Sequence, residues 1–186
     1  MIGYAFCGSF CTLKASLAEL RELVRSGERV LPIMSERVYS TDTRFYACEE
    51  LRREVMEITG NEIIHTVKDA EPLGPKLPLD ALIIAPCTGN TLAKMANGIT
   101  DTSVTMAAKA HLRRDRPLLI ALASNDAMSQ NLPNIGTMLM RKSVYFVPLT
   151  QDDTVGKPHS LVADFGKLIP AYSAMNNGIQ LRPLFI

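Results

Sequence analysis

The chain reads as an α/β domain of three layers, α/β/α, with helices covering both faces of a parallel sheet. Three observations carry that reading. Short apolar runs recur along the chain, each followed by a polar or glycine-bearing turn and then by residues at helical spacing, the rhythm of strand, crossover and strand. The run Leu82, Ile83, Ile84, Ala85 shows no alternation with polar residues, as a strand covered on both faces requires. The return from the first apolar run through one helix to Val30 is so short that the two strands must lie parallel, with a right-handed crossover.

Taken in order, residues 2–6 are the first strand, 7–10 a turn, and about 12–25 a helix with Leu13, Leu17, Leu20 and Val24 on one face. Gly27 ends that helix, and 30–34 is the second strand. Residues 35–43 are polar and read as a loop across the carboxyl edge of the sheet. Asp42 or Thr43 then caps a helix to about residue 58, with Leu51, Val55 and Ile58 inward and Gly60 as its stop. Ile63 and Ile64 suit a short third strand. Residues 68–78, with prolines at 72, 75 and 78, read as a connecting loop.

The stretch 79–101 holds most of the functional signal. Its strand ends at Pro86, Cys87, Thr88, Gly89 and Asn90 form a small polar turn, and 91–96 is a helix stopped near Asn97 and Gly98. Residues 102–114 are helical, and Arg113, Arg114 and Arg116 at the end of that helix complement its dipole and face solvent. A strand at 118–123 carries Ser124, Asn125 and Asp126 on its carboxyl end, a second polar strand end at the same edge. A helix at 133–141, a strand at 144–147, a polar turn-rich segment at 151–159 and a last helix at 161–175 complete the pattern. The apolar tail 179–186 is expected to pack on the body or on a neighbouring copy.

At 186 residues the chain suits one domain, 1–186, with 150–186 as a C-terminal extension and helix. Twenty basic and 19 acidic side chains leave a net charge of +1, which offers no electrostatic footprint for nucleic acid or an anionic membrane. A small molecule or a protein is the expected partner. The apolar start, 2–10, contains two glycines, lacks basic residues and is too short to span a bilayer, so a strand in a cytoplasmic protein is expected and not a signal peptide. Cys7, Cys11, Cys48 and Cys87 show no zinc-type pairing, so no metal site is expected, and a reducing compartment would leave them as thiols. Cys7 and Cys11 flank a turn and can be read as redox partners or as small apolar residues.

A strand, a polar turn and a helix start leave unpaired backbone N–H groups at the rim of an open sheet, where small side chains let a planar ligand approach. Thr88, Asn90 and Thr91 can add hydrogen bonds there, or Thr88 and Asn90 can simply cap the helix. Gly8-Ser9 delivers a glycine and a hydroxyl to the first helix start, with Lys14 a turn further on, the arrangement that attracts phosphate. Neither GxGxxG nor GxxxxGK[ST] is present, which excludes the usual dinucleotide fingerprint and the P-loop.

Gly8-Ser9-Phe10-Cys11-Thr12-Leu13-Lys14 resembles the first-turn signature of the homo-oligomeric flavin-containing cysteine decarboxylase, or flavoprotein, family. Pro86-Cys87-Thr88-Gly89-Asn90-Thr91 resembles the PASANT motif of that family, keeping Pro86, Asn90 and Thr91, and Leu92-Ala93-Lys94, Asn97-Gly98-Ile99 and Asp101 continue the match. The resemblance covers most of the chain. It implies a Rossmann-like or flavodoxin-like fold and FMN, with Gly8, Ser9 and Ser35 at the phosphate end, Phe10 and Lys14 nearby, and Pro86, Cys87, Thr88, Asn90 and Thr91 along the ring. It further implies Asn90, Lys94 and Asn125 as catalytic residues, with Lys14, Lys94 and Asn125 meeting substrate carboxylates and Arg37 or Arg44 as bidentate donors.

The chain departs from the decarboxylases at their PxMNxxMW clamp. Residues 122–129 keep Asn125 and Met128 but have Leu122 and Ser129 where the clamp has proline and tryptophan. The active-site histidine has no match just before the central strand, where His65 lies too far upstream. Segments 124–127, 144–148, 151–153, 157–158 and 160–163 instead match a narrower branch of the family. That branch implies oxidation of a dihydrodipicolinate species to dipicolinate during sporulation, in the mother-cell cytoplasm, by a homo-oligomer of trimers or larger. It also implies a second component that resembles a nicotinamide-dependent dehydrogenase and brings NAD(P). Two alternatives stand: that this chain is a non-catalytic binding or scaffold subunit serving that nicotinamide-dependent component, or that it is a flavin-dependent decarboxylase or prenyltransferase.

Overall fold

The computed structural model describes residues 1–74 and 76–186. Strands β1 (Ile2–Phe6), β2 (Val30–Met34), β3 (Leu82–Thr88) and β4 (Leu118–Ser124) pair parallel in the order β2-β1-β3-β4. Their side chains are almost all buried, which is why these segments lack polar alternation. Helix α1 (Leu13–Arg25) joins β1 to β2, while α5 (Gly89–Ala96) and α6 (Ser103–Leu112) join β3 to β4. One connection runs outward to the left and the other to the right. Right-handed crossovers therefore send their helices to opposite faces and open a crevice between the carboxyl ends of β1 and β3.

On the first face α1 packs against α3 (Cys48–Thr59) and α8 (Leu168–Asn176); on the second α5 packs against α6 and α7 (Leu132–Leu139). Leu13, Leu17, Leu20 and Leu23 form the buried stripe of α1, with Leu23 in place of the expected Val24. Across the interface the Tyr4 hydroxyl meets Ser16, whose own hydroxyl donates to the Ala85 carbonyl at 2.5 Å. This ties α1 to both β1 and β3 just below the crevice.

Several elements differ from expectation, each for a local reason. The polar segment 35–43 contains a short helix, α2 (Glu36–Ser40), because Ser35 caps it by accepting from the Val38 N–H. Thr43 closes a turn, its Oγ1 accepting from the Phe45 and Tyr46 N–H groups, while Asp42 accepts at 2.8 Å from the Cys48 N–H, the first of α3, which starts later than expected. Gly60 stops α3 in the left-handed conformation, φ 66°, which costs glycine nothing. Ile64 makes only an isolated bridge to Ile33, so no third strand forms there. The proline-rich connection begins with a short helix, α4 (Val67–Ala70), capped by Thr66, and Pro75 lies outside the described residues.

The largest departure is at the far edge. Strand β5 (Val144–Phe146) pairs parallel with the first half of β4, but β7 (Leu161–Ala163) pairs antiparallel with its last two residues and with β6 (Leu149–Thr150). The expected helix over 161–175 is thus a strand followed by a one-turn 3-10 helix and α8. The seven-stranded sheet is mostly parallel with an antiparallel edge, and its turn at 151–160 folds back over the carboxyl end of β4. In the tail, Leu184 is buried and Phe185 bridges Leu149, while Phe185 and Ile186 leave more than half their surface exposed.

Candidate functional site

The crevice between β1 and β3 opens into two adjoining hollows of about 740 and 510 Å³, both lined by Gly8, Phe10, Thr88 and Asn90. Their sizes fall within the range of roughly 300–1,000 Å³ usual for small-molecule sites. The turn after β1 forms one wall. Gly8 and Ser9 lead into a 3-10 turn at Phe10–Thr12, with Thr12 Oγ1 donating to the Ser9 carbonyl at 2.9 Å and its hydroxyl at 3.1 Å. The start of α5 forms the facing wall. Thr88 caps the helix, accepting from the Thr91 N–H at 3.2 Å, so the capping role applies to Thr88. Asn90 is different: it is exposed, and its amide has no hydrogen-bond partner among the described residues, which leaves it turned to the hollows.

The larger hollow is closed by β4 and the edge hairpin. Ser124, Asn125 and Asp126 follow β4, and Gly89 lets them approach. A Cβ on Gly89 would collide with Ser124 Oγ and come within 2.6 Å of Asn131 Nδ2 and 2.9 Å of Asp126 Oδ1. Asp126 is held below the usual carboxylate range, first by the hydrogen bond from Ser124 and then by Asn131 Nδ2, 2.9 Å from both oxygens, against partial burial. Asp152 and Lys157, paired at 2.9 Å, reach the same hollow from the turn between β6 and β7. Arg44 also lines it, with its guanidinium 4.8 Å from the ring centroid of Phe45.

The smaller hollow lies between β2 and the α5–α6 connection and is lined by Ser35, Arg37, Thr91, Lys94 and Asp101 among others. Lys94 Nζ is 2.8 Å from both oxygens of Asp101 and lowers that carboxyl's pKa. Glu36 also borders this hollow and accepts from the Ser103 N–H at 3.0 Å. Arg37 and Arg44 enter no ion pair among the described residues.

These features are those of a small-molecule site at a switch point of the sheet. The Flavoprotein family model matches residues 2–164. The chain belongs to that family. The B subunit of dipicolinate synthase from Bacillus subtilis (strain 168) is 40% identical over 185 residues, spanning 100% of this chain and 92% of that protein. A crystal structure of the corresponding B subunit from Bacillus halodurans has 39% identity and a TM-score of 0.91, covering 100% of this chain and 95% of that one. An FMN-dependent cysteine decarboxylase shares the fold, with a TM-score of 0.68 at 22% identity over 95% of each chain.

Within this flavoprotein fold, Gly8, Ser9, Phe10, Ser35, Thr88, Asn90 and Thr91 border one hollow or both. Asn125 and Lys94 stand on different hollows with Asn90 between them. Three expected site residues are not brought there. Lys14 is exposed on α1 and lines neither hollow, because the face bearing Leu13 and Leu17 is the one turned to the sheet. Pro86 and Cys87 are buried, because β3 runs on to Thr88 where the sequence suggests a stop at Pro86. Cys7 and Cys11 do not pair either: Cys7 is buried, Cys11 is exposed on the larger hollow, and all four cysteines are free.

Sequence reasoning does not single out Ser124, Asp126, Asp152, Lys157, Glu36 or Asp101 as site residues. Polar strand ends and the alikeness of 151–163 to the narrower branch are the available signals. His65 stacks on Tyr39 with centroids 3.6 Å apart, and no histidine lines either hollow among the described residues. Among the same residues no group of three or more His, Cys, Asp or Glu could hold a metal ion, and no helix is long and apolar enough to cross a membrane.

Proposed function

We propose that this chain is the flavin-binding component of a two-component dipicolinate synthase that oxidises dihydrodipicolinate to dipicolinate in the mother cell during sporulation. It would act as a homo-oligomer of trimers or larger, with the A subunit of dipicolinate synthase contributing NAD(P). The observation that carries this reading is the uncommitted amide of Asn90 at the junction of two hollows lined by hydroxyls and helix starts. The identity to dipicolinate synthase B subunits, 40% and 39%, supports the narrower assignment.

The donor set fits FMN. Ser9 on one side and Ser35 on the other offer hydroxyls to a phosphate or ribityl chain, and the 3-10 turn at Phe10–Thr12 and the start of α5 border the same space. Phe10 borders both hollows and supplies apolar area against a ring. When bound, FMN supplies a two-electron acceptor, and the protein contributes position and electrostatics.

The residues of the chain then divide the work. Arg44 on the larger hollow or Arg37 on the smaller, both free of carboxylate partners among the described residues, binds a substrate carboxylate. Lys94 is oriented by Asp101, and Asn125 approaches the substrate from the end of β4. Aromatisation removes a hydride, for which FMN would be the acceptor, and one proton, which leaves to water in the open hollow; Asp126, kept ionised by Ser124 and Asn131 and so a weak base, contributes a fixed negative charge beside it. Leu122 and Ser129 in place of the clamp's proline and tryptophan, and the absence of histidine from the hollow linings among the described residues, argue against cysteine decarboxylation.

The test is reconstitution. Purified chain is expected to be yellow, or to turn yellow with added FMN, and to restore dipicolinate formation when mixed with its partner protein. Colourless protein that still restores full turnover without flavin would replace this reading with that of a non-catalytic scaffold.

A further inference from the structure

A third hollow, of about 300 Å³, lies between the C-terminal halves of α5 and α6 and shares no residue with the two above. Its floor is apolar, made by Met95, Ala108 and Leu112, with the half-exposed Ile99 beside them. Its rim carries Lys109, Arg113 and Arg141, and no acidic side chain lines it among the described residues. None of these three cations enters an ion pair among the same residues.

The basic cluster that the sequence assigns to the helix dipole is divided in the fold. Arg114 donates to the Gly74 carbonyl at 2.8 Å, and Arg116 donates to the Leu79 carbonyl and stands 3.7 Å from Asp80. Arg113 is left facing the hollow. The carbonyl end of α6 carries only about half a negative charge, which cannot balance three cations. Like charges gathered round an apolar pocket repel one another, and in a chain of net charge +1 the grouping is not the by-product of a basic surface.

We propose that this hollow is a second ligand site, for a small anion with a flat apolar body, an aromatic carboxylate. The ring lies on Met95, Ala108 and Leu112, and the carboxylate is held by Arg113 and Arg141 with Lys109 beside them. A hydrated inorganic anion would meet the charges but leave the floor wet, so the apolar body is part of the recognition. The site does not rest on the flavin reading, since Asn90 and Ser9 take no part in it.

Calorimetric titration of the full chain with 1-naphthoate, supported by saturation-transfer NMR, tests the proposal. Saturable binding with a dissociation constant below about 1 mM is expected, weakened about tenfold or more in an Arg113→Gln, Arg141→Gln double variant. Ala108→Leu, which fills the floor, is expected to abolish binding, and Asn90→Ala to leave it unchanged. Circular dichroism checks each fold, and the double variant, altered only at exposed positions, decides if Ala108→Leu does not fold. No saturable binding to the unaltered chain, equal binding of neutral 1-naphthalenemethanol or of inorganic phosphate, or undiminished affinity in the double variant would overturn it.

Discussion

Asn131 turns its side-chain amide onto the carboxylate of Asp126, with Nδ2 2.9 Å from each oxygen, while Ser124 donates its hydroxyl to one of them. Because these bonds favour the charged form, the folded pKa of Asp126 lies below its unfolded value. The stabilisation is therefore present above the ordinary carboxylate pKa of about 3.9 and is lost as pH falls through the lower folded value. Asn131→Ala removes one donor set. Carbon-13 titration of the Asp126 carboxyl should show its pKa move up toward the ordinary value, and thermal unfolding should show a loss of about 1–3 kcal/mol. An unmoved pKa would contradict the bonding described.

Gly89 is required by crowding. Gly89→Ala puts a methyl against Ser124 Oγ, Asn131 Nδ2 and Asp126 Oδ1, so the β4 loop must shift. A destabilisation of about 1–3 kcal/mol is expected, together with weaker flavin binding. Denaturant unfolding and FMN titration of the same preparation check both.

The four thiols should react in two classes. Burial pushes Cys7 up to about 11 and raises Cys87 well above its usual range, whereas Cys11 is exposed on the larger hollow. Under native conditions iodoacetamide should modify Cys11 quickly and Cys48 more slowly, and leave Cys7 and Cys87 intact until denaturant is added. Bound FMN should protect Cys11, as peptide mass analysis would show.

Arg44 and Lys94 should not be equivalent. Arg44 has no carboxylate partner among the described residues, while Lys94 is committed to both oxygens of Asp101. Arg44→Gln is expected to raise KM for the dicarboxylate by about tenfold with the flavin spectrum unchanged, and Lys94→Gln to raise it less. Steady-state kinetics with the partner protein present separates the two.

Much of this is legible in the residues. The four parallel strands announce themselves because burial on both faces forbids polar alternation, and the glycine and small polar residues at 8–9 and 88–90 mark the two strand ends at the crevice, although β3 passes directly into α5 without the expected turn. What stays hidden depends on contacts distant in sequence. Leu161–Ala163 is too short to declare itself a strand beside the apolar spacing of α8, yet it folds Asp152 and Lys157 over the site. Lys14 looks well placed by number alone. Only the packing of Leu13 and Leu17 onto the sheet decides that it faces away.

A single flavin cradle between the turn after β1 and the start of α5 is what the remaining assignments depend on. Titrating FMN into unaltered, Ser9→Ala and Asn90→Ala protein, with quenching of flavin fluorescence as the signal, tests it most directly. Saturable quenching by the unaltered chain, weakened about tenfold by Ser9→Ala and more by Asn90→Ala, is the predicted result. Flavin binding of equal strength in all three proteins would contradict it.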